Sequence, residues 1–340
     1  MKPDSELDLI SRLVKKTASA ARDPDLLIGI GDDCAVVAHN RDTLLAITTD
    51  TLVEGVHFDL AYFDPWHLGA KTAAVNLSDI AAMGARPRWA FLNIASRPGL
   101  PDGFWDAFMD GLLSKLSQFG AALSGGDTVS APHDLSVTLT LIGELAPGRY
   151  LRRSGARSGD IIYCSGHLGD AAAGLAYLKT RGQGRVSGGL VMRRCAKRLM
   201  ERHLDPEPRV GLGEVLAMSG LAGAAIDLSD GVATDLAHIC VASGLGAELD
   251  ASSLPISRAT RLISRALGLS PIQLVISGGE DFELLWTVST QNESEMIGIA
   301  ARSLGYTPFR IGRMIDGDGV RLKLNGGLID ISFQGYEHKI

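Results

Sequence analysis

Apolar and polar residues alternate regularly over residues 135–145 of the chain. The apolar side chains would lie on one face of an extended strand, and the serine and threonine side chains between them on the other. The apolar set is Leu135, Val137, Leu139 and Leu141. A period of two residues is typical of a strand with one buried face, and such strands usually pair in antiparallel sheets. The pattern therefore predicts a half-buried antiparallel strand.

The rest of the hydrophobic pattern predicts a mixture of helices and strands. A helical period of apolar residues predicts helices over residues 5–20, 64–83, 101–120, 190–202, 212–219, 232–242 and 293–304, with an alanine-rich helix after Asp170. Short apolar runs predict strands over residues 44–49, 89–95, 161–164, 224–228, 273–276, 283–288, 310–314 and 320–324. Because the two kinds of element do not alternate strictly, we predict an α+β protein.

The length of 340 residues suggests two domains, or one large one. The best candidate boundary is the Pro147-Gly148 turn, so we predict an N-terminal domain over residues 1–148 and a C-terminal domain over residues 149–340. Residues 180–189 are polar and rich in glycine, which predicts a flexible loop to which we assign no function.

Composition narrows the class of protein. The chain is 46% hydrophobic and 21% charged, as a folded protein with an ample core would be, and its net charge of −6 argues against a nucleic-acid partner. The polar N-terminus has no apolar signal core, and no run reaches the roughly 20 apolar residues of a membrane span. We therefore expect a cytoplasmic protein. The four cysteines form no C-x-x-C pair, which predicts neither a zinc site nor a disulfide framework.

Carboxylates recur beside glycine, serine or threonine, mostly at the ends of short apolar runs. The segments are GIGDD (29–33), TTDT (48–51), NLSD (76–79), GGDT (125–128), IDLSDG (226–231) and SGGED (277–281). Carboxylates gathered in one cleft repel each other unless cations lie between them. Mg²⁺ prefers oxygen ligands and commonly accompanies phosphates. The pattern therefore indicates a Mg²⁺-dependent phosphoryl-transfer enzyme.

Each segment taken alone also has an ordinary structural explanation. GIGDD and GGDT could be solvated turns, SGGED could be a hairpin loop between two predicted strands, and the aspartates of TTDT and IDLSDG could cap helices. Adjacent Asp32 and Asp33 would point to opposite faces of a strand, so they would not both join one cluster. Asp79 differs, because it would lie in an apolar helical stretch where an unpartnered carboxylate is costly. That position indicates a metal ion or a salt bridge nearby, or an interior aspartate satisfied by hydrogen bonds.

The common nucleotide-binding signatures are missing from the sequence. Neither G-x-x-x-x-G-K-[ST] nor G-x-G-x-x-G occurs. If the chain binds ATP, the phosphates would be held through Mg²⁺, glycine-loop amides and a few arginines. Arg152 and Arg153 could clamp a phosphate, or form a solvated basic pair. His57 could donate to a substrate phosphate, or be an inert surface histidine.

Longer strings around the carboxylates are more specific than the short segments. They are GIGDDCA (29–35), TDTLVEGVHF (49–58), AVNLSDIAAMGA (74–85), SGGDT (124–128), AIDLSDG (225–231) and SGGEDFEL (277–284). In this order, and with TDTLVEGVHF as the most specific, they resemble the motif set of the thiamine-monophosphate kinases over about residues 29–336. The resemblance implies the aminoimidazole-ribonucleotide-synthetase-like fold, in which an N-terminal α+β domain forms a β-barrel across a homodimer and a C-terminal α/β domain covers the cleft. It implies that ATP phosphorylates thiamine monophosphate to thiamine diphosphate.

The resemblance also implies roles for particular residues. The Mg²⁺ ligands would be Asp33, Thr48, Thr49, Asp50, Asp79, Asp127, Asp227 and Asp230. ATP would be held by Gly126, Asp127, Arg153 and Ser229, and thiamine monophosphate by His57, Glu280 and Tyr336. No general base is implied, and Asp32 is left without a role. Glu280 could pair with the cationic thiazolium or accept a hydrogen bond from the aminopyrimidine.

The implied acceptor is already a phosphate, so its ionised oxygen needs no strong general base. The obstacle is the repulsion between two anions, which several Mg²⁺ ions bridging the phosphates would neutralise while holding an in-line geometry. We therefore expect direct transfer without a phosphoenzyme. The alternatives are another ATP-dependent enzyme of the same superfamily and a non-catalytic nucleotide-binding relative.

Overall fold

The computed structural model describes residues 6–17, 23–180 and 189–338. Within them, the N-terminal half contains one sheet of six strands: β1 (Leu26–Ile28), β2 (Ala35–Ala38), β3 (Leu44–Val53), β4 (Arg86–Ser96), β5 (Ala122–Ser130) and β6 (Ser136–Leu145). Their order across the sheet is β1-β2-β3-β6-β4-β5. The predicted antiparallel strand is confirmed as β6, whose alternate residues are buried and which pairs antiparallel with β3 and β4.

The described part of the N-terminal half also contains three helices: α1 (Glu6–Thr17), α2 (Pro65–Met83) and α3 (Phe104–Gln118). The start of α2 agrees with the prediction, since Pro65 is its first residue and the Asp64 side chain accepts a hydrogen bond from His67 N. Nearly all of α2 is buried between the sheet, α3 and the C-terminal half. Its backbone touches that of α3, because a Cβ on Gly69 would lie 1.9 Å from Phe108 O.

The C-terminal half contains a second sheet. Its described strands are β7 (Ile161–Cys164), β8 (Ala222–Asp227), β9 (Gly246–Asp250), β10 (Leu284–Val288), β11 (Phe309–Ile315), β12 (Val320–Leu324) and β13 (Gly327–Asp330), in the order β13-β12-β9-β11-β7-β10-β8. The helices are α4 (Asp170–Thr180), α5 (Leu190–Leu204), α6 (Val210–Ser219), α7 (Val232–Ser243), α8 (Arg258–Leu267), α9 (Pro271–Ser277) and α10 (Glu293–Leu304). One hydrophobic core joins the halves, with Leu77 of α2, Leu216 of α6 and Trp286 of β10 in the same cluster.

The strand predicted over residues 273–276 is wrong, because this segment lies in helix α9. Ser270 caps the helix by accepting a hydrogen bond from Gln273 N, and Pro271 occupies its first turn. Such a start favours a helix even when the apolar run is short. The hairpin interpretation of SGGED is wrong for the same reason, since the segment links a helix to β10.

Further differences concern the exposed parts of the chain. The GGDT segment lies inside edge strand β5 and is not a turn. The apolar face predicted for the first helix is present in α1, but Leu9, Ile10, Leu13 and Val14 are all exposed. Residue 5 and residues 18–20 of the first predicted helix, and residues 181–188 of the predicted loop, lie outside the described residues. In the part of the chain that is described, no helix has both the length and the apolar character needed to cross a bilayer.

Candidate active site

A cavity of about 620 Å³ lies between the two halves, a size usual for ligand pockets. Its walls include α2, the end of β3, the loop after β8 and the loop after α9. Eight of the predicted site residues line it: Asp50, His57, Asp79, Asp227, Ser229, Asp230, Glu280 and Tyr336. Segments separated by more than 200 residues in sequence therefore meet in one cleft.

Three carboxylates converge at one end of this cleft. Among the described residues, Asp33, Asp79 and Asp227 each offer an oxygen, and these oxygens lie within 4.8 Å of one another. Asp33 Oδ2 is buried and accepts no hydrogen bond within that part of the chain. An all-oxygen set with an unpaired buried acceptor fits a hard divalent cation such as Mg²⁺.

Each carboxylate of the cluster is positioned by a neighbour. Arg153 donates to Asp33 through Nη2 at 2.6 Å, Thr48 donates its hydroxyl proton to Asp79 at 2.5 Å, and Ser78 donates to Asp227 at 2.6 Å. Thr48 thus contacts the predicted metal site through Asp79. Ser78 was not predicted, although it directly precedes Asp79 in the NLSD segment.

The cluster is electrostatically costly without a cation. Burial raises the pKa of Asp79 well above its usual value, and the carboxylates of Asp50 and Asp227 raise it further. Burial and the neighbouring Asp33 raise the pKa of Asp227 to about 8, and burial also raises the pKa of Asp50. Burial raises the pKa of Asp230 to about 6, with Glu6 as the next cause. A bound cation would favour the ionised forms.

Asp32 has a position distinct from that of Asp33, although both lie in the segment between β1 and β2 and not in a strand, as the alternation argument assumed. Its carboxylate accepts hydrogen bonds from Arg153 N at 3.2 and 3.3 Å and from Asp33 N at 3.1 Å. Burial raises its pKa to about 6. Asp32 therefore holds the backbone of Arg153, while the Arg153 guanidinium is already engaged by Asp33.

Three predicted site residues lie apart from the cluster. The Thr49 hydroxyl is on the outer face of the sheet, 3.0 Å from the Thr140 hydroxyl. Gly126 and Asp127 are exposed on β5, where a Cβ on Gly126 would lie 1.7 Å from Leu92 O. The strand register aligns Asp127 with Thr51 across two intervening strands. Three strand spacings place them roughly 14 Å apart, so the described chain does not bring Asp127 to the other carboxylates.

At the opposite end of the cleft, Glu280 is clamped by two buried bases. Lys71 Nζ lies 2.6 Å from Glu280 Oε1, and His203 Nδ1 lies 3.1 Å from Oε2. Lys71, which also lies 5.2 Å from the centre of the Phe63 ring, is fully buried. Burial alone would raise the pKa of Glu280, but the charge of Lys71 and the contact with His203 lower it to about 2. The backbone φ of Glu280 is 67°, a value that is strained for residues other than glycine.

Sequence reasoning missed Lys71 and His203. A single lysine within the apolar residues 68–77 was the available signal, because a lysine at such a position must find a partner or lose its charge. Its partner is 209 positions away in the chain and could not be identified from that pattern.

His57 and Tyr336 lie at the mouth of the cleft. His57 Nδ1 accepts a hydrogen bond from Val53 N at 3.0 Å. Burial, with the charge of His338, lowers the pKa of His57. The neutral ring therefore carries its proton on Nε2, where it can be donated to a ligand. Tyr336 is held by its backbone N–H, which donates to Asp230 O at 2.9 Å.

The loop that carries Ser229 and Asp230 is held by Asp235, which sequence reasoning also missed. Asp235 is buried in the first turn of α7, and its Oδ2 accepts hydrogen bonds from Asp230 N at 3.2 Å and Gly231 N at 3.1 Å. Ser229 O in turn accepts a hydrogen bond from Glu280 N at 2.7 Å. The loop after β8 thus connects the acidic end of the cleft to Glu280.

Comparisons with known proteins agree with this arrangement. The family described as AIR synthase related protein matches through its N-terminal domain at residues 31–145 and through its C-terminal domain at residues 157–325. The chain is 41% identical over 334 residues to the thiamine-monophosphate kinase of Salmonella typhimurium, with 98% of each protein covered.

Two solved structures are similar along nearly the whole chain. The thiamine-monophosphate kinase from Stenotrophomonas maltophilia K279a is 38% identical with a TM-score of 0.75, covering 94% of this chain and 96% of that one. AaThiL complexed with AMPPCP and TMP is 29% identical with a TM-score of 0.82, covering 98% of this chain and 97% of that one. The predicted two-domain α+β fold class is confirmed.

Proposed function

Since this chain belongs to the AIR synthase related protein family, and within it to the thiamine-monophosphate kinases, we propose that it transfers the γ-phosphate of ATP directly to thiamine monophosphate in a Mg²⁺-dependent reaction. The chain is accordingly a kinase, as predicted. The observation that supports the metal dependence is the convergence of Asp33, Asp79 and Asp227 within 4.8 Å.

The acidic end of the cleft is proposed to hold the metal and the phosphates. Asp33, Asp79 and Asp227 would be ligands, with Asp50, Asp230 and Thr48 beside them. Mg²⁺ bound there would neutralise the repulsion between donor and acceptor phosphates and favour an in-line arrangement. Arg153, which holds Asp33 in place, and Ser229, which lines the cleft, would contact ATP.

The opposite end is proposed to hold thiamine monophosphate. His57 would donate its Nε2 proton to the acceptor phosphate, and Tyr336 would pack at the mouth. For Glu280 the structure favours one of the two roles left open by the sequence. Its charge is compensated by Lys71 at 2.6 Å, which weakens it as a counter-ion for the thiazolium. Its oxygens can still accept a hydrogen bond from the aminopyrimidine, and we propose that role.

Thr49, Gly126 and Asp127 retain their proposed roles in metal and ATP binding, but they require a second copy of the chain. Among the described residues, the outer edge of β5 has no pairing strand. Asp127 lies on that edge, roughly 14 Å from β3 by strand spacing. We propose that the protein is a homodimer whose sheets meet at this edge and bring Asp127 to a shared cleft.

An end-point assay tests the reaction. The purified protein is incubated with ATP, Mg²⁺ and thiamine monophosphate, and thiamine diphosphate is separated by chromatography, with free thiamine as a parallel acceptor. We expect product from the monophosphate alone and none in the presence of EDTA. Asp79→Asn should lower kcat by about a hundredfold or more, because the reacting groups lose their alignment.

The matched control is Asp110→Asn, which changes an exposed carboxylate on α3 and should leave kcat unchanged. ATP binding without product would favour a non-catalytic relative, and product from another acceptor would favour a different enzyme of the superfamily. Full activity in EDTA would overturn the metal dependence.

A further inference from the structure

A second cavity, of about 490 Å³, lies on the C-terminal half outside the cleft already described. It opens beside the C-terminal part of α5, with the 166–170 segment, Glu283 and the 306–309 segment as its other walls. Its volume is within the range of small-molecule sites. None of the residues assigned above to ATP, metal or thiamine monophosphate lines it.

Positive charge is concentrated in this cavity. Three arginines line it, namely Arg198, Arg202 and Arg209, against two carboxylates, Glu283 and Asp170. Glu283 is already saturated, since it accepts hydrogen bonds from Arg202, from Nε and Nη2 of Arg209, and from the Ser165 hydroxyl. Arg198 makes no hydrogen bond or ion pair with any other described residue. Guanidinium donors therefore remain available for an anion.

Asp170 contributes a buried carboxylate oxygen that needs a hydrogen-bond donor. Its Oδ1 accepts the hydroxyl protons of Ser257 at 2.6 Å and Thr260 at 2.5 Å. Its Oδ2 is buried without a hydrogen-bond partner in the described part of the chain, although the residue is only 1% exposed. A buried acceptor without a partner is costly, so a ligand that supplies an N–H or O–H donor would be stabilised here.

Aromatic rings form a further wall. The His167 and Phe309 rings lie 5.2 Å apart, and the Tyr306 and Phe309 rings lie 6.4 Å apart. The Tyr306 hydroxyl donates to Ser165 O at 2.9 Å, which fixes its ring. Ring surfaces beside guanidinium groups suit a planar ligand that carries a negative charge.

We propose that this cavity is a second ligand site, which binds a phosphate ester of an amino-bearing planar heterocycle. The phosphate would contact Arg198 and the free donors of Arg202, the amino group would donate to Asp170, and the ring would lie against His167 and Phe309. Small nucleotides and the thiamine phosphates share this chemistry.

Direct contacts link the second cavity to the loop that carries Glu280. Arg202 donates to Asp281 O at 3.1 Å, and the next residue, His203, lies 3.1 Å from Glu280 Oε2. An anion that draws Arg202 toward itself would therefore act on the loop that carries Glu280. The consequence for substrate affinity depends on the proposed function, whereas binding to the cavity does not.

Calorimetric titration of the full-length protein in EDTA tests the site, because phosphates are then repelled by the acidic cleft. The probes are adenosine monophosphate, thiamine monophosphate and inorganic phosphate. Arg198→Gln should lower the affinity for the probe that the wild type binds most tightly by about tenfold, since one charge-assisted hydrogen bond is lost. Arg193→Gln, which changes an exposed arginine of the same helix outside the cavity, should leave the affinity unchanged.

The three probes distinguish the sources of the ligand. Tighter binding of one organic phosphate than of the other identifies the class of ring, and tighter binding of either than of inorganic phosphate supports the aromatic wall. Equal affinities of the wild type and Arg198→Gln for every probe would overturn the proposal, as would the absence of any binding in EDTA. A crystal soaked in tungstate gives an independent answer: an anomalous peak beside Arg198 supports the site, and peaks confined to the first cleft contradict it.

Discussion

Lys71 shows how strongly a single residue can determine the end of the cleft that contains Glu280. The side chain is fully buried, and its ammonium group lies 2.6 Å from a Glu280 oxygen. A buried ion pair contributes little compared with a well-packed apolar pair, but removal of one partner leaves an uncompensated charge. The pair therefore fixes the position and the ionisation of Glu280 more than it adds to stability.

Lys71→Met should lower the free energy of unfolding by about 1–3 kcal/mol, because it removes the cation of the Glu280 carboxylate, which is half-buried with its side chain 26% exposed. Urea denaturation followed by circular dichroism measures the change. The double variant Lys71→Met/Glu280→Gln should recover part of the loss, since both charges are then gone. A double variant less stable than Lys71→Met alone would show that the ion pair is not the source of the effect.

The free energy of unfolding should also depend on pH through the ionisation of Glu280. Its pKa is lowered from 4.5 to about 2 in the folded protein, so its contribution is complete above about pH 4.5 and is lost as the pH falls toward 2. We expect the free energy of unfolding to fall less steeply between pH 5 and about pH 3 in Glu280→Gln than in the wild type. Parallel pH profiles of the two proteins would contradict this assignment.

At this scale the sequence predicted the residues within acidic motifs and missed those that hold them. Asp79 was predicted correctly as a helical carboxylate in need of partners, and its partner Thr48 was among the candidates. Lys71 carries only the signal of a lysine in an apolar stretch, and Asp235 carries no local signal. The sequence does not identify their partners, because each acts on a residue that only the tertiary fold brings near. Thr49 shows that membership of a motif does not fix the direction of a side chain. Its hydroxyl points away from Asp50, because neighbouring residues of a strand face opposite sides of the sheet.

At the scale of elements, α2 organises the cleft. It supplies Lys71 to one end and Ser78 and Asp79 to the other, and it packs against α3 and α6 at backbone distance. A Cβ on Gly213 of α6 would lie 2.0 Å from Ala81 O of α2. Small displacements of this helix would therefore alter both ends of the cleft together.

Two glycines of α6 provide a matched test. Gly213→Ala should destabilise the protein by about 1–3 kcal/mol and lower kcat, because the added methyl group displaces α2. Gly211→Ala, where nothing lies within 4 Å of the new Cβ, should be neutral or stabilise by about 0.4–1 kcal/mol. Urea denaturation and steady-state kinetics measure both effects. Similar results for the two variants would mean that the α2–α6 contact does not position the cleft.

The elements recovered from sequence were those with strong periodicity or clear caps. The strand 320–324 and the start of α2 agree with the prediction, whereas β5 was not predicted as a strand, and a turn was one of the interpretations of its central GGDT segment. Gly126 is required there by contact with the Leu92 carbonyl, a cause that depends on the neighbouring strand. Helix α9 was missed because its apolar run is as short as a strand.

For the whole molecule, the open edge of β5 is the feature that favours a dimer. Exposed edge strands invite pairing with another chain. Val129 lies on this strand and is 52% exposed. The proposed domain boundary at residues 148 and 149 stays a prediction.

Light scattering after size exclusion should give twice the chain mass of 36.0 kDa for the wild type. Val129→Lys should shift the protein toward the monomer and reduce activity, because a charged side chain on the edge opposes pairing. Val241→Lys, at an exposed position of α7, should remain dimeric. A wild-type monomer with full activity would contradict the shared cleft.

Contacts that cross between the two halves restrict how the family can exchange parts by recombination. A chimera joined near residue 148 would combine the first half of one parent with the second half of another. It would assemble a working cleft only if both parents supply matching partners for the three crossing pairs, Lys71 with Glu280, Ser78 with Asp227, and Asp33 with Arg153. The two halves of a functional chimera must therefore come from parents whose residues at these three pairs are compatible.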